Sequence, residues 1–365
     1  MAGLVGAWVG LSVLLVLASL LPLSRRPQWW IRGLDFPRLQ LAVLALLVLL
    51  AGLALHRWQP LGPAGWALQG LLLVCLAYQL SWVLPYTPFW RRQVPRSGSP
   101  GGPSLSLLSA NVLMTNRRAD ALLALVRQQR PDLVITLESD HWWEQQLAPL
   151  ETDYPWSVKC PLDNLYGMHL YSRLPLEETE LCFLVEEDVP SIHTRVVLAD
   201  GESVRLHVLH PAPPSPSENE ESTERDAELL VVARSLLESR QPVVVAGDLN
   251  DVAWSSTTRL FRRISGLLDP RIGRGMFNTF HVKFPFLRWP LDHLFHSRHF
   301  SLLSLRRLPD IGSDHFPLWV ELALEPGRDD HEGPQEPSPG ERQRAREISA
   351  HGNVSVAEVP EPGRA

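Results

Sequence analysis

Three long apolar runs without a single charge open the chain, and they restrict its architecture more than any other feature. Gly3–Leu23 is almost wholly apolar. Leu39–Leu55 is uncharged throughout, and Trp66–Leu84 holds only Gln69, Gln79 and Ser81 as clearly polar members. A helix crosses the hydrocarbon core of a bilayer with about 20 residues, and it can do so because its backbone bonds are satisfied internally. A cleaved signal peptide fits the first run poorly, because no basic start precedes it and two further runs follow. A buried core hairpin fits poorly as well. Trp29, Trp30, Trp58, Trp66, Trp82 and Tyr86 lie near the run ends, where amphipathic rings favour the membrane–water interface. Residues 1–90 are therefore expected to form a membrane region with spans at about 3–23, 39–55 and 66–84.

Charge orients these spans. The first loop carries Arg25, Arg26, Arg32 and Arg38, the second only Arg57, and the segment after the third span Arg91, Arg92 and Arg96. Basic loops stay on the cytoplasmic side. The first loop and everything after residue 90 are thus expected in the cytoplasm, with the N-terminus outside.

The remainder divides by composition. Residues 91–104, rich in Pro, Gly and Ser towards their end, are expected to be a flexible linker. Residues 105–325 are expected to be one domain. Residues 326–365 lack apolar periodicity and are expected to be a disordered tail. Cys75, Cys160 and Cys182 are too few and too scattered for a disulfide framework or a thiolate zinc site. Within the domain, short β-rich runs (Leu105–Val112, Leu133–Leu137, Arg195–Leu198, Val204–Leu209, Val243–Ala246, Leu318–Leu324) alternate with helical patterns at Arg118–Gln129 and Glu224–Arg240. Such a chain forms layered sheets covered by helices. Ala212–Glu224, acidic and Pro/Ser-rich, is expected to be a solvated loop.

Polar residues gather where these runs end. Asn111 closes the first strand and Glu138 the second. His210 follows Val204–Leu209, and Gly247-Asp248-Leu249-Asn250 follows Val243–Ala246. Asp292 precedes Leu294-Phe295, and Ser313-Asp314-His315 precedes the last strand. Polar side chains at the ends of rigid strands are a common way to build a site.

Asn111, Glu138, the Gly-Asp-Leu-Asn element and the Ser-Asp-His element occur in the order found in the endonuclease/exonuclease/phosphatase family, which the chain resembles over roughly residues 105–325. Tyr166-Gly167-Met168 leading into Ser172-Arg173-Leu174-Pro175 is similar to a bacterial subtype with N-terminal membrane helices. The resemblance implies an α+β, four-layer α/β/β/α sandwich of DNase I-like type behind the spans, and a multi-pass protein of a bacterial inner membrane. It implies a metal-dependent hydrolase of phosphate esters using Mg²⁺, with Mn²⁺ as the alternative. Asn111, Glu138 and Asp314 would be the metal residues. Asp248 would orient or deprotonate water, Asn250 would hold the phosphate, Asp292 would fix the ring of His315, and His210 would donate to a phosphoryl oxygen. Hard cations with oxygen ligands suit this chemistry, and a carboxylate behind an imidazole favours its protonated form. Relatives often carry Gln before the metal-binding Glu, where this chain has Leu137. Asp251 is expected to face solvent. Asn164, His193 and Arg195 are open between pocket, core and surface.

The substrate is a polyanion of unresolved type. Residues 97–325 hold 21 basic against 31 acidic residues, so no broad field attracts nucleic acid. Between Arg259 and Arg307, however, ten basic residues face only Asp269 and Asp292, interleaved with Phe261, Phe277, Phe280, Phe284, Phe286 and Trp289. That mixture suits stacked bases or an anionic lipid surface. A tethered nuclease is slightly preferred on the resemblance. A phospholipid or phosphoinositide phosphohydrolase is the alternative, and an inactive membrane scaffold the third reading. Protease added outside intact cells should spare the C-terminal domain. Rapid digestion there would reverse the orientation.

Overall fold

The computed structural model describes residues 2–97, 102–237, 239–325 and 333–361. Its N-terminal region consists of α1 (Ala2–Leu20), the short α2 (Trp29–Arg32), α3 (Arg38–Trp58) and α4 (Gly62–Val83). The three long helices are apolar and long enough to cross a membrane, at Gly3–Ser24, Arg38–Trp58 and Gly62–Tyr86. Their few polar groups bond to one another, as hydrocarbon demands. Trp8 Nε1 donates to the Val48 carbonyl at 3.0 Å, and Gln79 Nε2 donates to Ser19 Oγ at 3.0 Å. Gly52 permits the crossing: a Cβ there would lie 2.7 Å from Trp8 Nε1.

The domain alternates strands and helices: β1 (Ser104–Asn111), α5 (Ala119–Gln129), β2 (Leu133–Leu137), α6 (His141–Leu147), β3 (Trp156–Cys160), β4 (Met168–Ser172), β5 (Leu176–Cys182), β6 (Ser191–Val197), β7 (Ser203–Val208), α7 (Thr223–Ser235), β8 (Val243–Asp248), α8 (Ser256–Ser265), β9 (Asp292–His296), β10 (Phe300–Arg307), β11 (Leu318–Leu324) and α9 (Pro339–His351). One sheet runs β10-β11-β1-β2-β4-β3 and the other β5-β6-β7-β8-β9. Their inner faces meet in one core containing Leu107, Ile135, Leu170, Val196, Leu206 and Val244. Successive residues of a strand point to opposite faces. Leu108 and Val134 accordingly pack outward against Leu122, Val126 and Trp143 of α5 and α6. On the other side Val245 and Phe295 meet Leu229, Val232, Phe261 and Ile264 of α7 and α8. This is the four-layer α/β/β/α sandwich.

Each sheet has one parallel pair, β1–β2 and β7–β8, flanked by antiparallel partners. Parallel strands end at the same edge, and an antiparallel neighbour begins there. Asn111, Glu138, His210 and Asp248 therefore finish strands at the same edge where β9 starts with Asp292 and where His315 precedes β11. Gly247 tightens that edge, because any Cβ would sit 2.0 Å from the Leu209 carbonyl oxygen.

Four expectations need correction. The region expected to be a linker is packed where it is described: Val94 is buried in the inter-sheet core, and Ser97 N–H donates to Leu302. Residues 98–101 lie outside the described residues. The expected disordered tail carries α9, opened by a Ser338–Glu341 capping box, and packs Ala345, Val354 and Val359 against the α7–α8 layer. Its buried positions are few and partly small, so apolar periodicity is weak; residues 326–332 and 362–365 lie outside the described residues. The 212–224 loop is not free in solvent. Trp29 N–H donates to Glu220 O at 2.9 Å, and Ser222 N–H donates to Pro27 O at 2.8 Å, fastening this loop to the first membrane loop. Asp251 is buried, bonded by Ser255 and facing Arg225.

That last contact belongs to a buried ionic seam. Arg38 pairs with Asp35, and Arg32 lies 3.6 Å from Asp35 and 3.5 Å from Asp226. Arg225 pairs with Asp226 at 2.7 Å, and its Nη1 donates to the Asn250 carbonyl at 2.7 Å. Burial alone would raise the Asp226 carboxyl, but Arg225 and Arg32 hold it below its ordinary value. Trp254 Nε1 donates to Asp35 O at 2.9 Å, and Tyr86 Oη donates to Ala253 O at 2.6 Å. Removing one partner of a buried ion network typically costs about 3–5 kcal/mol, because the remaining charges stay buried. Asp226→Ala should lower the unfolding free energy of the purified protein by that amount. An unchanged denaturation midpoint would show that the seam carries no stability.

Candidate active site

A cavity of about 650 Å³ opens at the shared strand edge, with Glu138, Asp248, Asn250, Asp314 and His315 along its floor. Local backbone shape aims these groups. Glu138 and Asn250 both adopt positive φ, at 59° and 49°, so each turns sharply out of its strand. Asp248 Oδ1 accepts the Asn250 N–H at 2.9 Å, closing an Asx turn after the strand. Ser313 Oγ accepts the His315 N–H at 3.0 Å and sets the approach of that ring.

The floor is a linked set. Asn111 Nδ2 donates to Glu138 at 2.7 Å and to Asp248 at 3.2 Å, while its Oδ1 accepts the Leu113 N–H. Asn111 thus clasps the two carboxylates from behind. His315 Nδ1 bonds Asp292 at 2.7 Å, and its Nε2 lies 3.5 Å from Asp248. Phe280 packs on the His315 ring with centroids 4.9 Å apart. Asp292 stands opposite Asp248 in the β8–β9 register and accepts from His315 through one oxygen.

Burial and charge tune these groups. Burial pushes the Glu138 carboxyl up to about 7, helped by Asp314 and Asp248 and opposed by Asn111 and His315. Burial would lower His315, yet Asp292 and Asp248 raise it to about 10, so the ring carries its proton at neutral pH. Burial also works against Asp248, but His315 and His210 hold its carboxyl below the ordinary value. Burial keeps His210 near 4, hence neutral; its ring packs 5.5 Å from that of Tyr166.

Glu138, Asp248, Asn250, Asp314 and His315 therefore come together around one cavity, with Asn111 and Asp292 directly behind them and His210 buried beside Asp248. His193 lies elsewhere, 2.6 Å from His207 between two strands. Arg195 pairs with Glu177 and Glu178, and Asn164 bonds Asp188. The aromatic 259–307 stretch borders the cavity as its place between the Gly-Asp-Leu-Asn and Ser-Asp-His elements leads one to expect, whereas the wall from the first loop was not expected. Trp29, Phe36 and Pro37 of the first membrane loop form one side, and Phe280, Leu287 and Trp289 the other. The interfacial Trp pair was a signal for the first wall, but nothing local in the sequence linked it to the strand edge.

Asp248, Asp292 and His315 place ligand atoms within 4.8 Å of one another. Within the trio His315 bridges the two carboxylates, with Nδ1 on Asp292 and Nε2 near Asp248. The oxygen donors left facing the cavity, Glu138 with Asp248 and Asp314, suit a hard divalent cation.

A sandwich with this set of carboxylates, amides and imidazoles at one strand edge defines a phosphate-ester hydrolase. Residues 108–315 match the Endonuclease/Exonuclease/phosphatase family, and the chain belongs to it. Solved structures share the fold. An endonuclease/exonuclease/phosphatase family protein from Bacteroides thetaiotaomicron is 18% identical with a TM-score of 0.51, over 61% of this chain and 99% of that one. The human Nocturnin catalytic domain with bound sulfate is 17% identical with a TM-score of 0.50, over 61% and 94%. D. rerio TDP2 complexed with single-strand DNA product is 18% identical with a TM-score of 0.50, over 60% and 99%. Comparison with curated proteins finds no matching sequence.

Asp292→Asn should leave the fold intact and slow turnover by about 10²-fold or more, the usual scale of a positioned acid–base group. Undiminished turnover in that variant would remove the His315–Asp292 pair from the chemistry.

Proposed function

We propose that this protein is a Mg²⁺-dependent hydrolase of phosphate esters, held at a membrane by its three N-terminal helices. The observation that carries this is His315, braced by Asp292 at 2.7 Å and set 3.5 Å from Asp248 on a floor shared with Glu138 and Asn250. Such a floor holds both a cation attractor and a proton-bearing ring, the two things a phosphoryl group needs. Glu138, assisted by Asp314, would hold the cation, with Mn²⁺ as the alternative metal. When bound, the cation neutralises charge on the phosphoryl oxygens and on the departing oxygen.

The remaining steps belong to the protein. Asp248, kept ionised, accepts a hydrogen bond from the attacking water and takes its proton as the new P–O bond forms. His315 donates to a phosphoryl oxygen and stabilises charge that develops in the transition state. Asn250 gives one amide hydrogen to Pro211 O at 3.0 Å, which leaves the second for the phosphate. His210, neutral, donates from its one N–H. The bond from phosphorus to the leaving oxygen breaks, and that oxygen takes up a proton from solvent.

The cluster of arginines in the first loop and after the third span favours a cytoplasmic site on an inner membrane. The preference for a nucleic-acid substrate rests on the family resemblance, and the basic 259–307 stretch adds little to it. Arg262 bonds Gln93, Arg271 pairs with Asp269, Arg259 stacks on Trp82 at 4.0 Å, and Arg263 pairs with Glu341. Those side chains dock helices and loops, so they form no open basic track.

With bis(p-nitrophenyl) phosphate as substrate, EDTA should abolish turnover and Mg²⁺ restore it. Glu138→Gln should lose that turnover and weaken Mn²⁺ binding, read by electron paramagnetic resonance, by at least about tenfold. Unaltered Mn²⁺ affinity would overturn the assignment of Glu138.

A further inference from the structure

The cavity's position relative to the spans says more than its floor. Residues 281–288 form a finger rooted by the paired backbones of Phe280 and Trp289. At the root, Phe280 lies on the ring of His315. Arg288 stiffens the finger by donating to His281 O at 3.1 Å and Val282 O at 2.6 Å. At the tip, Phe284 is 54% and Phe286 87% exposed, with Leu287 half-exposed beside them. The tip touches a span directly: Gln40, in the first turn of α3, donates from Nε2 to the Phe286 carbonyl at 2.7 Å.

The facing wall is the corner between α2 and α3. Phe36 and Pro37 lie immediately before the first residue of the α3 span, and both line the cavity. The two walls meet where the rings of Phe36 and Trp289 pack edge-on, 5.7 Å apart. Apolar side chains thus line the cavity from Phe280 on the His315 ring to Phe36 and Pro37 at the start of α3. Exposed phenylalanines at that level are costly in water and favoured in the interfacial layer of a bilayer. Lys283, exposed on the same finger, suits an anionic headgroup.

Resting on the phosphoesterase assignment, we infer that the substrate is a phosphate ester carried on a lipid, entering sideways from the leaflet between the α2–α3 corner and the 281–288 finger. Its phosphate reaches the floor while its hydrocarbon remains against Phe36, Trp289 and Leu287. Bases can stack on aromatic faces, but this wall also carries Pro37 and Leu287 and leads to the α3 span, where an acyl or prenyl chain buries apolar area along it.

The test uses the full chain reconstituted into phosphatidylcholine vesicles containing phosphatidylglycerol, phosphatidic acid or undecaprenyl phosphate, with Mg²⁺ present and His315→Ala as the inactive control. Bis(p-nitrophenyl) phosphate and single-stranded DNA are offered in parallel. The wild type should hydrolyse at least one lipid of its own bilayer. Phe36→Ala and Phe286→Ser should each lower the ratio of lipid to soluble-ester turnover by about tenfold, the scale of losing one aromatic contact with a chain. Phe286 projects from the surface, so its variant should fold even where Phe36→Ala does not. Cleavage of the soluble ester or DNA with all three lipids untouched, or an unchanged ratio in the Phe286 variant, would overturn the lipid route and leave the phosphoesterase assignment standing. A wild type inert towards every substrate would overturn both.

Discussion

The alternating chain of buried charges from Arg38 through Asp35, Arg32 and Asp226 to Arg225 is the constraint on which the arrangement depends. Its ends lie in different parts of the molecule: Arg38 begins a span, while Arg225 holds the carbonyl of Asn250 on the catalytic edge. Because the charges are desolvated, each needs its neighbour, and neither half can shift without stranding an ion in an apolar setting. Trp254 and Tyr86 reinforce the seam through backbone carbonyls on opposite sides of it. Membrane region and hydrolase are therefore one packed body, and the first loop becomes part of the site.

Much of this was legible in the sequence because the signals were strong and local. Uncharged runs of span length admit few other structures, and polar residues at the ends of apolar strands marked the catalytic edge. The strand ends converge because β1–β2 and β7–β8 are parallel, a property of topology that local patterns only suggest. The misjudged residues share one cause, which is that long-range packing outweighed composition. Val94 sits in a Pro- and Arg-rich stretch yet fills the inter-sheet core. Asp251 is a carboxylate next to a turn, which normally means solvent, but Arg225 lies across from it. Ala345 and Ser349 make a helix face too small to register as apolar, and α7 and α8 supply the surface that buries it.

The arginines between 259 and 307 teach the same lesson about charge. Counted along the chain, they look like a surface for polyanions. In space, Arg262 and Arg271 are buried, Arg259 lies over Trp82, and Arg306 and Arg307 lie over Trp319 and Phe316. Guanidinium groups stack and fork in ways that suit structural work, so local density of Arg says little about the field outside the protein.

The ionic seam and the packed 91–97 segment also fix a length. Because the seam ties the α2–α3 corner to the sandwich, the floor of the cavity stands at one height relative to the ends of the three long helices. The protein then acts as a gauge. On the proposed lipid route, a phosphorus atom is presented correctly only if its carrier holds it at that height, so the spacer between scissile bond and anchor would be a selection criterion independent of headgroup chemistry. Encounters would then be confined to the plane in which the anchor drifts, governed by the number of target molecules per unit area.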